Sequence, residues 1–222
     1  RFKGKMWVIG GGNSTSSYGD VWSSSTGLAW NEQTLTNGFS ARQGHAGVVF
    51  KNKMWVFGGY FINPGGGGTF LNDVYSSEDG ATWTQESNSA SWSGRYGHAA
   101  VVYDDKIWVI GGNNSSGDSK EVWYSTDGIN WTQQTSSIVT WDAMKDFGAQ
   151  VFDGKIWILG GNPRTNKFYT FDGTTWSGYQ DASWSVRSSL VSFRFDNYLW
   201  VVGGDSGTGG SSHMNDVWKY GK

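Results

Sequence analysis

The chain has 222 residues, a formal net charge of −2, 34 glycines, 15 tryptophans, 2 prolines and no cysteine. The balanced charge, with no Lys/Arg run, excludes a nucleic-acid groove or polybasic membrane patch, and no apolar stretch approaches the roughly 20 residues of a membrane span. Without cysteine there is no disulfide framework, thiolate zinc site or cysteine nucleophile.

One phrase recurs along the chain: KMWVIGG ending at Gly11, KMWVFGG at Gly59, KIWVIGG at Gly112, KIWILGG at Gly161 and YLWVVGG at Gly204. The first glycines of these pairs, Gly10, Gly58, Gly111, Gly160 and Gly203, are spaced by 48, 53, 49 and 43 residues. Three positions upstream of them stand Trp7, Trp55, Trp108, Trp157 and Trp200, and eight upstream stand Phe2, Phe50, Tyr103, Phe152 and Phe195. The run Met54–Phe57 is apolar on both faces, which suits a strand sandwiched between layers. A preceding apolar run, such as Ala99–Tyr103, is joined to it by Lys51-Asn52, Asp104-Asp105, Asp153-Gly154 or Asp196-Asn197. Such pairs favour the positive-φ turns of two-residue β-hairpins. The glycine pair then ends the second strand, where the backbone takes conformations a side chain resists.

A third strand begins at Asp20-Val21-Trp22, Asp73-Val74-Tyr75, Glu121-Val122-Trp123, Lys167-Phe168-Tyr169 and Asp216-Val217-Trp218. Turns follow at Thr26-Gly27, Asp79-Gly80, Asp127-Gly128 and Asp172-Gly173, and three residues beyond each turn glycine lies Trp30, Trp83, Trp131 or Trp176. Each unit is thus predicted to be a four-stranded antiparallel sheet. The units span 1–38, 39–91, 92–140, 141–183 and 184–222 of a single domain, 1–222. Each buried indole removes about 150–250 Å² from water, worth about 4–6 kcal/mol gross, and such contacts are needed because one sheet cannot bury its own faces.

The glycine pair, the aromatic third strand and the tryptophan of the fourth resemble the kelch-repeat family, in the style of secreted bacterial kelch domains, over essentially the whole chain. The resemblance implies an all-β fold, a kelch-type β-propeller of blades packed face to face around a central channel. The stretches Ser77–Trp83 and Ser125–Trp131 also look like the Asp-box of sialidase-type propellers, one residue short. Of the five four-stranded repeats, the first lacks its first strand and the last its fourth. The expectation is therefore a fragment of a longer chain, its seam closed by a missing segment or a strand-completing partner.

The first-strand entries form three more columns. Nineteen positions before the glycine lie Phe39, Trp92, Trp141 and Trp184; sixteen before, Arg42, Arg95, Met144 and Arg187; thirteen before, His45, His98, Phe147 and Leu190. Long segments follow the glycine pairs: Asn13–Gly19, Tyr60–Asn72, Asn113–Lys120 and Asp205–Asn215, rich in Gly, Ser and Asn. In an antiparallel hairpin these read as loops on the same face as the arginines and aromatics, and function is expected on that face. The resemblance puts Arg42, Arg95 and Arg187 near the channel mouth. There they either present guanidinium forks to a ligand or brace neighbouring backbone carbonyls. The aromatics Phe39, Trp92, Trp141 and Trp184 either stack on a ligand or pack beneath their own loops.

No metal or cofactor is expected. His45 and His98 share their column with Phe147 and Leu190, which suits packing, and His213 stands alone. The loop carboxylates Asp118, Glu121, Asp142, Asp146, Asp181 and Asp205 form no catalytic motif. The expected function is a non-catalytic recognition module for protein or glycan, extracellular or at a cell surface. The alternatives are a sugar-acting enzyme of sialidase or mutarotase type, or a structural repeat in an assembly.

Overall fold

The two-residue connections do what their Asn, Asp and Gly content dictates. Lys51-Asn52, Asp104-Asp105, Asp153-Gly154 and Asp196-Asn197 all have φ between 47° and 67°, the geometry that matches the twist of the flanking strands. Each closes a ladder in register: Phe50 opposite Lys53, Tyr103 opposite Lys106, Phe152 opposite Lys155 and Phe195 opposite Tyr198. Lys3-Gly4 makes the same turn between Phe2 and Lys5, the stub of a first strand.

The computed structural model describes residues 1–135, 141–207 and 212–221, and none of them is helical. The first sheet runs Met6–Gly12, Ser17–Ser24, Asn31–Glu32; the second, Ala46–Phe50, Lys53–Ile62, Gly68–Ser77, Thr84–Ser87. The third runs Ala99–Tyr103, Lys106–Ile110, Val122–Ser125, Thr132–Gln133, and the fourth Gly148–Phe152, Lys155–Leu159, Lys167–Phe171, Trp176–Asp181. The fifth has Val191–Phe195, Tyr198–Asp205 and His213–Tyr220. In these five sheets the strand complement is the one read from the repeat.

The two aromatic columns turn out to be one device. Each second-strand indole donates its Nε1–H to the carbonyl of the aromatic residue five positions earlier. These bonds are Trp7 to Phe2 at 3.1 Å, Trp55 to Phe50 and Trp108 to Tyr103 at 3.0 Å, Trp157 to Phe152 at 2.9 Å and Trp200 to Phe195 at 3.0 Å. A buried indole N–H usually finds a partner, and for this column the hairpin supplies it locally.

The outer hairpins are built on serine and aspartate. Oγ of Ser24, Ser77 and Ser125 accepts the N–H of Gly27, Gly80 and Gly128, each at 2.8 Å. Asp127 Oδ1 accepts the N–H groups of Ile129 and Asn130, both at 2.8 Å. Burial pushes the Asp127 carboxyl up, but bonds from Asn130, Ile129 and Ser125 outweigh it and hold it down at about 2.

By density of contacts the chain forms two units, Arg1–Tyr96 with Ser125–Thr132, and Gly97–Tyr124 with Gln133–Lys222. The first has a core of Phe2, Val21, Phe39, Met54, Val56 and Trp83. In it the Trp7 and Trp55 indoles lie against the turn glycines Gly80 and Gly128 of a following hairpin, where an added Cβ would run into the ring. The second unit has one cluster built around Trp108, Trp141 and Trp176 and another around Trp157, Trp184 and Leu199.

Candidate functional site

The columns sixteen residues before the glycines meet the glycine pairs through the backbone. Gly11 N–H donates to the Arg42 carbonyl, Gly112 N–H to Met144 and Gly161 N–H to Arg187, each at 2.9 Å. One repeat is thereby stitched to the next strand entry, and the close approach explains the glycines. At Gly58, with φ 53°, a Cβ would stand 2.8 Å from the Leu71 carbonyl oxygen and 3.1 Å from that of Arg95. At Gly160 it would stand 2.8 Å from the Arg187 carbonyl oxygen.

The arginine side chains turn inward. Arg42 is 0 % exposed. It donates to Asp73 Oδ1 at 2.6 Å and Oδ2 at 2.9 Å, to the Gly58 carbonyl at 2.9 Å, to the Ser40 carbonyl at 3.0 Å and to Ser40 Oγ at 3.1 Å. Arg187 repeats the pattern on both oxygens of Asp216 at 2.7 Å, the Gly203 carbonyl at 2.8 Å and the Ser185 carbonyl at 3.1 Å. The Arg187 hydrogen bonds, with one from the Trp218 indole, outweigh desolvation and hold Asp216 at about 2. Arg95 is as deeply buried and donates to Ser93. A guanidinium has five N–H donors and no acceptor. In Arg42 and Arg187 they are spent on the chain's own carboxylate and carbonyls, the bracing arrangement.

The four aromatics share this fate. Phe39, Trp92, Trp141 and Trp184 are between 1 % and 8 % exposed. Phe39 meets Trp83 edge-on at 5.0 Å, Trp92 meets Trp131 at 6.0 Å and Trp141 meets Trp176 at 5.9 Å. These three rim aromatics therefore pack on the fourth-strand indole of their own repeat, and Trp184 meets the third-strand Trp218 at 6.5 Å. His45 is held down at about 4 by burial first and by the Arg42 charge second, the Ile9 backbone pulling the other way.

Two of the loop carboxylates, Asp205 and Asp118, are engaged too. Asp205 accepts from Arg164 at 2.9 Å and from the Gly207 N–H at 2.8 Å, and hydrogen bonds from Ser212 and Arg164 hold its carboxyl well below the usual range. Asp118 accepts from Asn113 Nδ2 at 2.7 Å.

The segments after the glycine pairs depart in part from expectation, because strand pairing carries on into them. Past a bulge at the glycines the ladders resume: Gly11 pairs with Tyr18, Tyr60 with Phe70 and Ile62 with Gly68. Asn114 pairs with Gly117, and Asp205 with His213. Of the segment Asp205–Asn215, residues 208–211 lie outside the described residues.

In the first unit two of these hairpins are tied together, since Ser17 Oγ donates to the Tyr60 carbonyl at 3.3 Å and accepts the Ile62 N–H at 3.1 Å. Tyr60 also exchanges both backbone bonds with Gln43, at 2.8 and 2.9 Å. On this framework Tyr60, Phe70 and Tyr96 gather partly buried, with ring centroids 5.1, 5.4 and 5.8 Å apart, and Tyr18 stands exposed. No charged residue occurs from Tyr60 to Asn72. Reading those segments as Gly/Asn-rich loops hid the trio. The signal available was aromatic residues at both ends of a glycine run.

A family model described as the KLHDC2/KLHL20/DRC7 Kelch-repeats domain matches residues 1–177. The Leucine-zipper-like transcriptional regulator 1 homolog of Drosophila melanogaster is 28 % identical over 128 residues, 55 % of this chain and 13 % of that protein. The chain thus spans a small part of that relative's length. The solved structure of YjhT aligns with a TM-score of 0.78 over 97 % of this chain and 78 % of that one, at 18 % identity. At that identity the likeness concerns the fold alone.

Proposed function

This chain belongs to the Kelch-repeats domain family and has its β-propeller fold; on that premise we propose that it is a recognition module that binds a protein segment through the hairpins following its glycine pairs. The observation that carries the reading is the division of labour among aromatic and cationic side chains. The deep arginines and indoles are consumed by the fold, whereas Tyr18 is exposed and Tyr60, Phe70 and Tyr96 are only partly buried, the first three on hairpins fixed by backbone and Ser17 bonds and Tyr96 beside them. Aromatic residues on a rigid support give contact area at low entropic cost, which is why they dominate interaction hot spots. The absence of charge between Tyr60 and Asn72 favours an uncharged, apolar or aromatic epitope. It also favours a second reading, a neutral glycan held on the tyrosine faces by the neighbouring Asn and Ser side chains.

The test is selection of a displayed peptide library on the 222-residue chain, alongside a glycan array. Selected peptides are then titrated against Tyr60→Ala and Tyr96→Ala, whose folding is checked by melting. The reading expects at least about a tenfold loss of affinity in each variant, the size of a hot-spot truncation. Binders indifferent to both substitutions refute it, and selective glycan retention that both substitutions abolish replaces it with the second reading.

A further inference from the structure

An asparagine followed by a small residue carries the atoms of a slow self-modification. The backbone nitrogen of the second residue can attack the asparagine amide carbon, and glycine, having no Cβ, crowds that approach least. The sequence has one Asn-Gly pair, Asn37-Gly38, and three Asn-Ser pairs, beginning at Asn13, Asn88 and Asn114.

The fold restrains the three serine pairs. Asn13 Oδ1 accepts the N–H groups of Thr15 and Ser16 at 2.9 and 2.8 Å, and its Nδ2 donates to the Tyr18 hydroxyl at 3.1 Å. Asn114 Oδ1 accepts the Ser116 N–H at 2.8 Å. At Asn88 the attacking group is the one held, since the Ser89 N–H donates to Ser87 Oγ at 3.2 Å. Asn37-Gly38 has no such restraint. Asn37 sits at φ 53°, both residues are exposed, and neither hydrogen-bonds to any of the described residues.

The pair also lies at a joint. One residue before it, Thr36 donates its N–H to the Ala81 carbonyl at 2.9 Å and accepts the Trp83 N–H at 3.2 Å. One residue after it, the buried Phe39 ring meets the Trp83 ring at 5.0 Å. The two exposed residues thus bridge two anchors on one tryptophan. They do so where the chain leaves the first sheet's outer strand, Asn31–Glu32, for the second sheet's inner strand, Ala46–Phe50.

We propose that Asn37 is a site of spontaneous deamidation in the folded chain, and that its isoaspartyl product loosens the joint between the first and second repeats. Solvent base takes the Gly38 amide proton, the nitrogen bonds to Asn37 Cγ, and Nδ2 departs as ammonia. Water then opens the succinimide. Cleavage at Cγ gives aspartate, whereas cleavage at the main-chain carbonyl carbon sends the backbone through Cβ and Cγ. Amide and water become acid and ammonia, with no redox change. The second product lengthens the backbone between Thr36 and Phe39, so their two anchors on Trp83 no longer fit together. The inference is separate from the recognition reading.

The test incubates the 222-residue chain, folded or unfolded in guanidinium chloride, at mildly alkaline pH. Peptide mapping by mass spectrometry and isoaspartyl methyltransferase labelling follow each asparagine. Asn37 is expected to react in the fold within about threefold of its unfolded rate, and the other three at least about tenfold slower than theirs, about 1.4 kcal/mol of barrier, the scale of a hydrogen bond withheld from reaction. The isoaspartyl fraction of the aged chain is expected to melt below the fresh chain, and Asn37→Asp to melt with it. Asn37→Gly, which keeps the positive φ and has no amide, should hold its melting temperature through the incubation. Folding that slows Asn37 at least about tenfold overturns the proposal. So does an isoaspartyl fraction that melts with the fresh chain, or an equal loss on ageing in Asn37→Gly.

Discussion

Replacing Arg42 by methionine separates a brace from a bystander. The substitution copies the chain's own alternative, since Met144 occupies the equivalent place in the fourth repeat and is buried there. It removes both bonds to Asp73 and the bond to the Gly58 carbonyl, leaving a carboxylate with 12 % of its side chain exposed and no counter-charge. Breaking a buried pair from one side costs about 3–5 kcal/mol. At about 2–4 °C per kcal/mol for a chain of this size, the melting temperature should fall by about 6–20 °C. The companion variants are Asp73→Asn and the double Arg42→Met/Asp73→Asn. Once the stranded charge is gone the double variant should be more stable than the sum of the singles by about 1–3 kcal/mol, the coupling of groups in contact. Thermal melts and urea titrations of the four proteins measure this cycle. A single variant within about 0.5 kcal/mol of the parent, the level of an ordinary surface change, or strict additivity, refutes the brace.

Trp108→Ala should cost about 3–5 kcal/mol, because the indole is buried, bonded to the Tyr103 carbonyl and 5.1 Å from Phe171; denaturant unfolding checks it. Gly58→Ala should cost about 1–3 kcal/mol from the positive φ alone, with more from the Leu71 and Arg95 carbonyls, read as a lowered midpoint at unchanged slope. His45 titrates at about 4 in the fold against the 6.5 of an unfolded chain, so between those values the unfolded chain binds a proton that the native chain does not. Its contribution is complete above about pH 6.5 and is lost as pH falls toward 4, at most about 3 kcal/mol. In His45→Phe that slope of stability against pH should vanish.

The turn pairs and the glycine pairs were legible because a backbone demand selects them. Asp104-Asp105 sits at positive φ, and Gly58 sits where a neighbouring carbonyl leaves no room for Cβ. Trp55, Trp83, Trp108, Trp131, Trp157 and Trp176 were legible as buried positions, whereas Trp30 is exposed, and the bond from each second-strand indole to the carbonyl five residues back follows from hairpin geometry that spacing does not display. The arginine brace had a signal that was passed over. The fourth repeat, which has Met144 in place of arginine, also has Lys167 where the second and fifth have Asp73 and Asp216. Cation and anion thus leave together, and reading either column alone conceals it. The extended hairpins were missed because Gly and Asn at a tip outweighed the strand-forming Tyr60, Phe61, Ile62 and Phe70 on either side. Whether an aromatic ring is swallowed or displayed depends on the sheet packed beside it, which no local pattern records.

The indole-to-carbonyl bond has a consequence for how the chain assembles itself. Each inner hairpin carries a latch closed over five residues of sequence, so it can form before any neighbour exists and with little loop-closure entropy. Nascent hairpins leaving a ribosome would emerge already zipped. Hydrogen exchange during refolding should accordingly protect the amides of Ala46–Phe50 and Lys53–Phe57 ahead of the Gly11 and Gly161 amides that sew successive repeats together.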